Sequence, residues 1–324
     1  MTKVLVTGVG AIIGYGVIRA LRMASCPVDL VGMDIYPDAV GQQWCDEFDV
    51  ALPAADAEYP AFLADLVGRR NVDLVLPAIE QDVLRMNQER EVLSQAGVAI
   101  ALNASDLIEL SHDKWSTHRL LIDAGFPTIP TEIEGSFQSL AAAFGTPFLL
   151  KPRRSYASKG IVEVRDEAEF SHFAPRMGDD FMAQMIVGRP SGREYTVGAF
   201  GLGDGTTAGC VVMERTLSRE GATARARIRR LPDLEAIVAA LASLFRPVGP
   251  TNFQFREHEG QYLLLEINPR LSSSVSLRAA FGYNEPEMCL EHYLGGRNPK
   301  APVIRDGSAV RYIEDAISLA GDLR

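Results

Sequence analysis

Two hydrophobic periods share this chain, and the way they alternate marks out its organisation. Over residues 3–102, short apolar runs that read as strands are separated by stretches with helical spacing. Residues 3–7 form the first strand, a glycine-rich turn follows, and a helix continues through Val17, Leu21 and Met23. Residues 29–33 read as strand, 59–69 as helix, 73–77 as strand, 82–96 as helix and 98–102 as strand. This alternation predicts a parallel sheet with helices on both faces. Residues 103–106 close the region.

The remainder changes character. A helical segment through Leu107, Leu110, Lys114, His118 and Leu121 leads to a proline-interrupted connection at 125–130 and a short helix over 137–144. Residues 148–162 read as strand, small-residue turn and strand. Further strands are expected over 181–187, 193–197 and 209–213, and an amphipathic helix over 231–245. Residues 214–227 mix arginines with small residues, as in a mobile lid over an anionic substrate or in a solvated face. Residues 252–256 and 262–268 then form two neighbouring strands around the turn at Gly260.

That last pair carries the first chemistry. Period two puts Gln254, Glu266 and Asn268 on one face while Ile267 packs behind them. Oxygen donors without His or Cys suit a hard cation such as Mg²⁺, with Mn²⁺ the alternative. Pro269 ends the strand and leaves the Arg270 guanidinium beside the proposed metal, where it can clamp a phosphate or carboxylate. On spacing alone, an edge strand with a solvated polar face fits equally well.

Composition narrows the setting. The 324 residues are enough for two or three domains, and 47% hydrophobic with 23% charged residues is ordinary for a soluble globular protein. A formal charge of −10 opposes generic binding to nucleic acid or an anionic membrane, so an anion site has to be a local basic pocket. The opening residues show no signal-peptide pattern and no apolar run approaches membrane-spanning length, so a cytoplasmic protein is expected. Cys26, Cys45, Cys210 and Cys289 lie far apart without metal spacing and are expected as buried, reduced thiols. Lysine occurs only at 3, 114, 151, 159 and 300, against 27 arginines. Three of the five fall within 114–159, where a compact charge on a flexible stem suits phosphate oxygens.

Four motifs follow one another at sensible spacing: Lys151 with the turn through Ser155, Ser158, Lys159 and Gly160; Gln184-Met185-Ile186-Val187-Gly188; Arg193-Glu194-Tyr195-Thr196-Val197; and Glu266-Ile267-Asn268-Pro269-Arg270. Together they resemble the ATP-grasp superfamily, more narrowly the single-chain ligases related to the large subunit of carbamoyl-phosphate synthetase. The module occurs once here, whereas that subunit holds two. The resemblance runs from about residue 106 to the C-terminus and, less specifically, over the N-terminal region. It implies a mixed α/β and α+β architecture, a Rossmann-like domain at 1–105 followed by a two-lobed ATP-grasp domain. The N-terminal lobe would be 106–188 with the Lys151 flap, and the C-terminal lobe 189–324 with the metal and acceptor sites.

The same resemblance implies site roles. Lys114 and Lys151 would meet the ATP phosphates, with Ser155, Ser158, Lys159 and Gly160 in a flexible flap over them. Gln184, Met185 and Ile186 would form the adenine hinge, and Glu194 would lie near the ribose hydroxyls. Gln254, Glu266 and Asn268 would hold the metal, with Arg270, Lys151 and Arg215 as the catalytic cations and Arg215 at the acceptor site. Arg225 and Arg227 stay open as acceptor candidates. Tyr156 stands where relatives usually have glycine. Hydroxyls in 272–276 either bind a carboxylate or acyl phosphate or cap the following helix.

Two N-terminal features keep alternatives in view. Gly8, Gly10 and Gly14 with Asp34 about twenty residues on come close to a dinucleotide fingerprint, although the spacing is looser. The resemblance implies instead that these glycines allow strand and helix to pack closely. Glu80, at a strand's C-terminal end, either contacts an amine or acid substrate or caps a helix. The leading expectation is an ATP-dependent ligase joining small-molecule carboxylate and amine substrates, as the homodimers common among such enzymes do. A nucleotide-binding regulator with a degenerate site and a dinucleotide-dependent oxidoreductase are the alternatives.

Overall fold

The structure, a computed structural model, describes residues 1–155, 159–188, 193–218 and 221–317. Strands β1 (Thr2–Thr7), β2 (Val28–Asp34), β3 (Glu47–Val50), β4 (Leu74–Leu76) and β5 (Ala99–Ile100) form a parallel sheet in the order β3-β2-β1-β4-β5. Both faces are apolar: Val4, Val6, Leu30 and Leu76 pack on one side, Leu5, Val31, Met33 and Val75 on the other. Helix α1 (Ile12–Leu21) covers the first side through Val17 and Ile18. Helices α2 (Tyr59–Arg70), α3 (Glu80–Gln88) and α4 (Arg90–Ser94) cover the second.

Local departures have local causes. Met23 lies beyond the end of α1 and is exposed. The helix expected over 82–96 starts at Glu80 and breaks at Glu89, whose φ of −104° and ψ of 20° leave the helical region. The glycine turn closes on protein groups. Asp34 Oδ2 accepts from the Gly10 amide at 2.8 Å, and a Cβ on Gly14 would stand 2.1 Å from the Gly8 carbonyl oxygen. Close packing of strand against helix is therefore what these glycines provide.

Helices α5 (Ser105–His112) and α6 (Lys114–Asp123) replace the single helix expected there. They break at Asp113, whose carboxylate caps α6 by accepting from the Trp115 amide at 3.0 Å. Next comes an antiparallel sheet of β6 (Thr131–Glu132), β7 (Phe148–Pro152), β8 (Val162–Val164) and β9 (Phe181–Gln184), in the order β6-β9-β7-β8. Helices α7 (Phe137–Phe144) and α8 (Glu167–Phe173) pack on it through Phe137, Phe148, Phe170 and Phe181. The strand expected to reach residue 187 ends at Gln184, and residues 185–187 line a cavity instead of continuing the ladder.

The largest sheet holds β10 (Glu194–Leu202), β11 (Thr207–Leu217), β12 (Thr223–Arg229), β13 (Val248–His258), β14 (Gln261–Asn268) and β15 (Ser308–Val310). Their order is β14-β13-β10-β11-β12-β15, antiparallel throughout. Helix α9 (Pro232–Phe245) covers one face, packing Leu234, Val238 and Leu241 on Val197, Phe253 and Ile267. Helices α10 (Val275–Ala280) and α11 (Glu285–Cys289) follow β14. Val275, Ala279 and Met288 share one hydrophobic cluster with Val17 of α1 and Met213 of β11. The parallel and the large sheets thus share a core, and side chains from both can meet at one site.

Three further expectations change. Most of the segment read as a lid is β-ladder, because β11 runs to Leu217 and β12 resumes at Thr223; residues 219 and 220 lie outside the described residues. Arg225 and Arg227 are exposed on β12. Cys289 is buried and Cys45 and Cys210 partly so, but Cys26 is exposed; all four are free thiols. Among the described residues no helix is long and apolar enough to cross a membrane.

Candidate active site

A cavity of about 540 Å³ opens where the three sheets approach one another. Its floor is the polar face of β13 and β14. Asn252 pairs with Asn268 and Gln254 with Glu266, so all four share that face. The register then slips: Gln254 faces Glu266 while Phe255 faces Leu264, leaving Leu265 as an extra residue. This bulge puts Leu264 and Ile267 together in the core and both Leu265 and Glu266 on the cavity wall.

The oxygen face is tightly wired. Glu266 Oε1 accepts from Asn268 Nδ2 at 3.0 Å, and Asn268 Oδ1 accepts from Arg270 Nη2 at 3.0 Å. Gln254 Oε1 accepts from Arg215 Nη2 at 2.7 Å. One carboxylate with neighbouring amide oxygens is a donor set that fits Mg²⁺, which usually keeps waters and shares substrate phosphates. Arg270 Nη2 also reaches Glu80 Oε2 at 3.1 Å. Glu80 makes no capping bond as the first residue of α3; it brings the parallel sheet into the site.

Cations dominate the other wall. Lys151 leaves β7 on the side opposite Phe148 and Leu150, and its Nζ donates to Gln184 Oε1 at 2.5 Å. Gln184 is oriented in turn by donating to Thr131 Oγ1 at 2.9 Å. Burial is the main reason the Lys151 ammonium is pushed down to about 8; Glu266 opposes the shift, and Lys114 and Arg256 add to it. Lys114, also lowered by burial, donates to the Ser155 carbonyl at 2.6 Å. The start of α6 places it there. Asp113 caps that helix and binds Arg153 and Arg154 at 2.6 and 2.8 Å, tying α6 to the turn after β7.

Glu194, expected near ribose hydroxyls, is 4% exposed and has both oxygens engaged. Oε1 accepts from Arg215 Nη2 at 2.6 Å and Oε2 from Arg256 Nη2 at 3.3 Å. Arg215 is equally buried and also donates to Thr223 Oγ1 at 3.3 Å. Five cations line the cavity (Lys114, Lys151, Arg215, Arg256, Arg270) against three carboxylates (Glu80, Glu194, Glu266), an excess of two positive charges in a chain of net −10. That is a local anion pocket on an acidic body.

The cavity thus gathers Lys114, Lys151, Ser155, Gln184, Met185, Ile186, Glu194, Arg215, Gln254, Glu266, Asn268 and Arg270. Lys159 and Gly160 are exposed and do not line it, while Ser158 and Tyr156 lie outside the described residues. Ser272 and Ser273 line it; Ser274 is buried against Thr223. Asn252 and Arg256 were missed, although the alternation that singles out Gln254 puts both on its face. Leu265 could not be found that way, because the bulge reverses the alternation it obeys.

Comparison with known proteins agrees with this geometry. The family model described as "ATP-grasp in the biosynthetic pathway with Ter operon" matches residues 180–316. Over that stretch the chain resembles the ATP-grasp superfamily. It is 28% identical over 180 residues to the formate-dependent phosphoribosylglycinamide formyltransferase of Stenotrophomonas maltophilia, an alignment covering 52% of this chain and 42% of that protein. The chain therefore spans less than half the length of that relative. A D-alanine–D-alanine ligase of Ralstonia nicotianae is 26% identical over 284 residues, covering 79% of this chain and 75% of the ligase. Among solved structures, N5-carboxyaminoimidazole synthetase from Staphylococcus aureus with ADP aligns with a TM-score of 0.71 at 17% identity, over 94% of this chain and 80% of that one. Biotin carboxylase from Campylobacter jejuni, complexed with a nucleotide, gives 0.73 at 16% identity, over 95% and 74%. These last two likenesses bear on the fold.

Proposed function

We propose that this protein is an ATP-dependent carboxylate–amine ligase of the ATP-grasp type, acting through an acyl phosphate. The observation that carries the reading is that Lys114, Lys151 and Arg270 converge with the Glu266–Asn268 oxygen face in one cavity. An apolar slot of Leu149, Met185, Ile186 and Leu265 beside it suits a nucleotide base. Residues 1–105, 106–188 and 189–324 divide this reading among a Rossmann-like domain and two ATP-grasp lobes.

In this scheme Glu266 and Asn268, with Gln254 as the third oxygen, would hold Mg²⁺, which offsets charge on the terminal phosphates when bound. Lys114, Lys151 and Arg270 stabilise charge on the oxygens of the γ-phosphoryl group as it passes to the substrate carboxylate. The bond from Pγ to the bridging oxygen breaks, releasing ADP, and an O–P bond forms on the carboxylate. Amine attack then forms the C–N bond and expels phosphate. Glu80 is placed to attract the amine as an ammonium before it loses its proton. No side-chain nucleophile is required, and positioning supplies much of the effect.

The test is ADP and phosphate release from ATP and Mg²⁺ across a panel of amino acids and small carboxylic acids. Release stimulated by an acid and amine together supports the ligase. ATP binding with silence across the panel would favour the regulatory alternative.

Lys151 adds a pH signature. Binding phosphate oxygens requires its protonated form, so ADP affinity should be level below about pH 8 and weaken as pH rises through that value. The limit for one proton is about tenfold per pH unit. Lys151→Arg, which stays charged, should flatten the alkaline limb. Calorimetric titration at several pH values checks this, and identical alkaline limbs in both proteins would remove Lys151 from the phosphate site.

A further inference from the structure

Asn252 lines the cavity yet is only 1% exposed. Its Oδ1 accepts from Arg278 Nη2 at 2.5 Å and from Thr196 Oγ1 at 2.6 Å. A guanidinium can only donate, so the amide oxygen is the atom that must face Arg278, and the amide has one acceptable orientation. Nδ2 is thereby turned away from the core, and among the described residues it meets no acceptor. Nδ2 therefore faces the cavity, where a ligand oxygen would give it an acceptor.

The orientation is rigidly enforced. Arg278 on α10 is fully buried, and its Nη1 donates to both oxygens of fully buried Glu285, at 3.1 and 3.3 Å. Nη2 also reaches Thr196 Oγ1 at 3.0 Å. The guanidinium lies against Gly198, the residue paired with Asn252 on β10, where a Cβ would stand 2.5 Å from Nη1. Glycine there makes room for the arginine, and the arginine fixes the asparagine.

Position along β13 indicates the ligand. Arg256, two residues beyond Gln254, donates to the Val187 carbonyl and so marks the end beside the base slot. Asn252 lies two residues to the other side, across from Asn268, toward Arg270 and Ser272. We propose that Asn252 donates its Nδ2 hydrogen to the acyl oxygen of the substrate's activated carboxyl group. This rests on the ligase reading. As the amine lone pair adds to the acyl carbon, the C=O pair moves onto that oxygen. It returns as the C–O bond to phosphorus breaks, phosphate leaves with those electrons, and the amine proton passes to solvent. A fixed neutral donor suits an oxygen that becomes charged only during this addition.

The test uses acetylphosphonate, a non-hydrolysable acyl-phosphate analogue, titrated into the full chain loaded with MgADP. Asn252→Asp keeps an oxygen toward Arg278 and Thr196 but turns a second acceptor into the cavity. Asn252→Ser, uncharged and too short to reach the ligand, serves if the aspartate variant does not fold. Both should bind MgADP as wild type does and lose at least about tenfold in probe affinity. Equal probe affinity in all three proteins would overturn the assignment, as would a matching loss of MgADP affinity, which would put Asn252 on the nucleotide. Wild type that binds MgADP and ignores the probe would instead overturn the ligase reading, and this assignment with it.

Discussion

Arg278→Ala is expected to destabilise the protein by about 3–5 kcal/mol near neutral pH, because it leaves a buried carboxylate without its partner. Glu285 is fully buried; burial already holds its carboxyl above the usual range, and the Arg278 charge is what opposes that shift. Removing the arginine raises the Glu285 pKa further. A carboxyl raised in the folded state contributes stability that is present below its unfolded pKa, about 4.3, and lost as pH rises through the folded value. The deficit of the variant should therefore be smallest in mild acid and grow toward neutrality. Urea unfolding at several pH values measures it. Replacing the pair together, with Arg278→Met and Glu285→Leu, should recover much of the loss, since it removes both charges at once. A deficit that is small and independent of pH would show that the pair carries little of the fold's stability.

Glu266→Ala is expected to cut substrate-stimulated ADP release by about 10³-fold or more, some 4 kcal/mol of transition-state stabilisation, while the protein stays folded. It removes the only carboxylate among the proposed metal ligands, yet among the described residues that carboxylate accepts one hydrogen bond, from Asn268 Nδ2. Glu266 also opposes the depression of Lys151. Glu266→Gln should consequently move the alkaline limit of ADP affinity to lower pH, because burial then acts on Lys151 with less opposition. Turnover at the wild-type rate in Glu266→Ala would sink the metal assignment. An unshifted alkaline limb in Glu266→Gln would show that the two side chains are not coupled.

Much of this architecture follows from local pattern. The parallel sheet could be read because its strands are apolar on both faces and separated by helices, a pattern other folds rarely satisfy. Helices 59–70 and 137–144 and the pairing of β13 with β14 were legible for the same reason: period and turn residues agree there. Lys151, Gln254, Glu266, Asn268 and Arg270 could be chosen because charged and amide residues interrupt otherwise apolar strands. Alternation then fixes the face on which they stand.

What the sequence alone determined is therefore most of the longer helices and strands, the face of β13 and β14 that carries chemistry, and the kind of chemistry that oxygen donors and cations allow. Tertiary structure decided which of these groups have protein partners. Glu194 looked available and is consumed by Arg215 and Arg256; Glu80 looked like a cap and is paired with Arg270, 190 residues away. The arginine-rich lid became β-ladder because both of its edges found strands to pair with, β11 on one side and β15 on the other. The orientation of Asn252 depends on Arg278, Glu285 and Gly198, which meet only when α10 packs on the sheet. Hydrogen-bond partners and ion pairs form between residues distant in sequence, at separations of a few ångströms that no periodicity encodes, so only the folded chain can assign them.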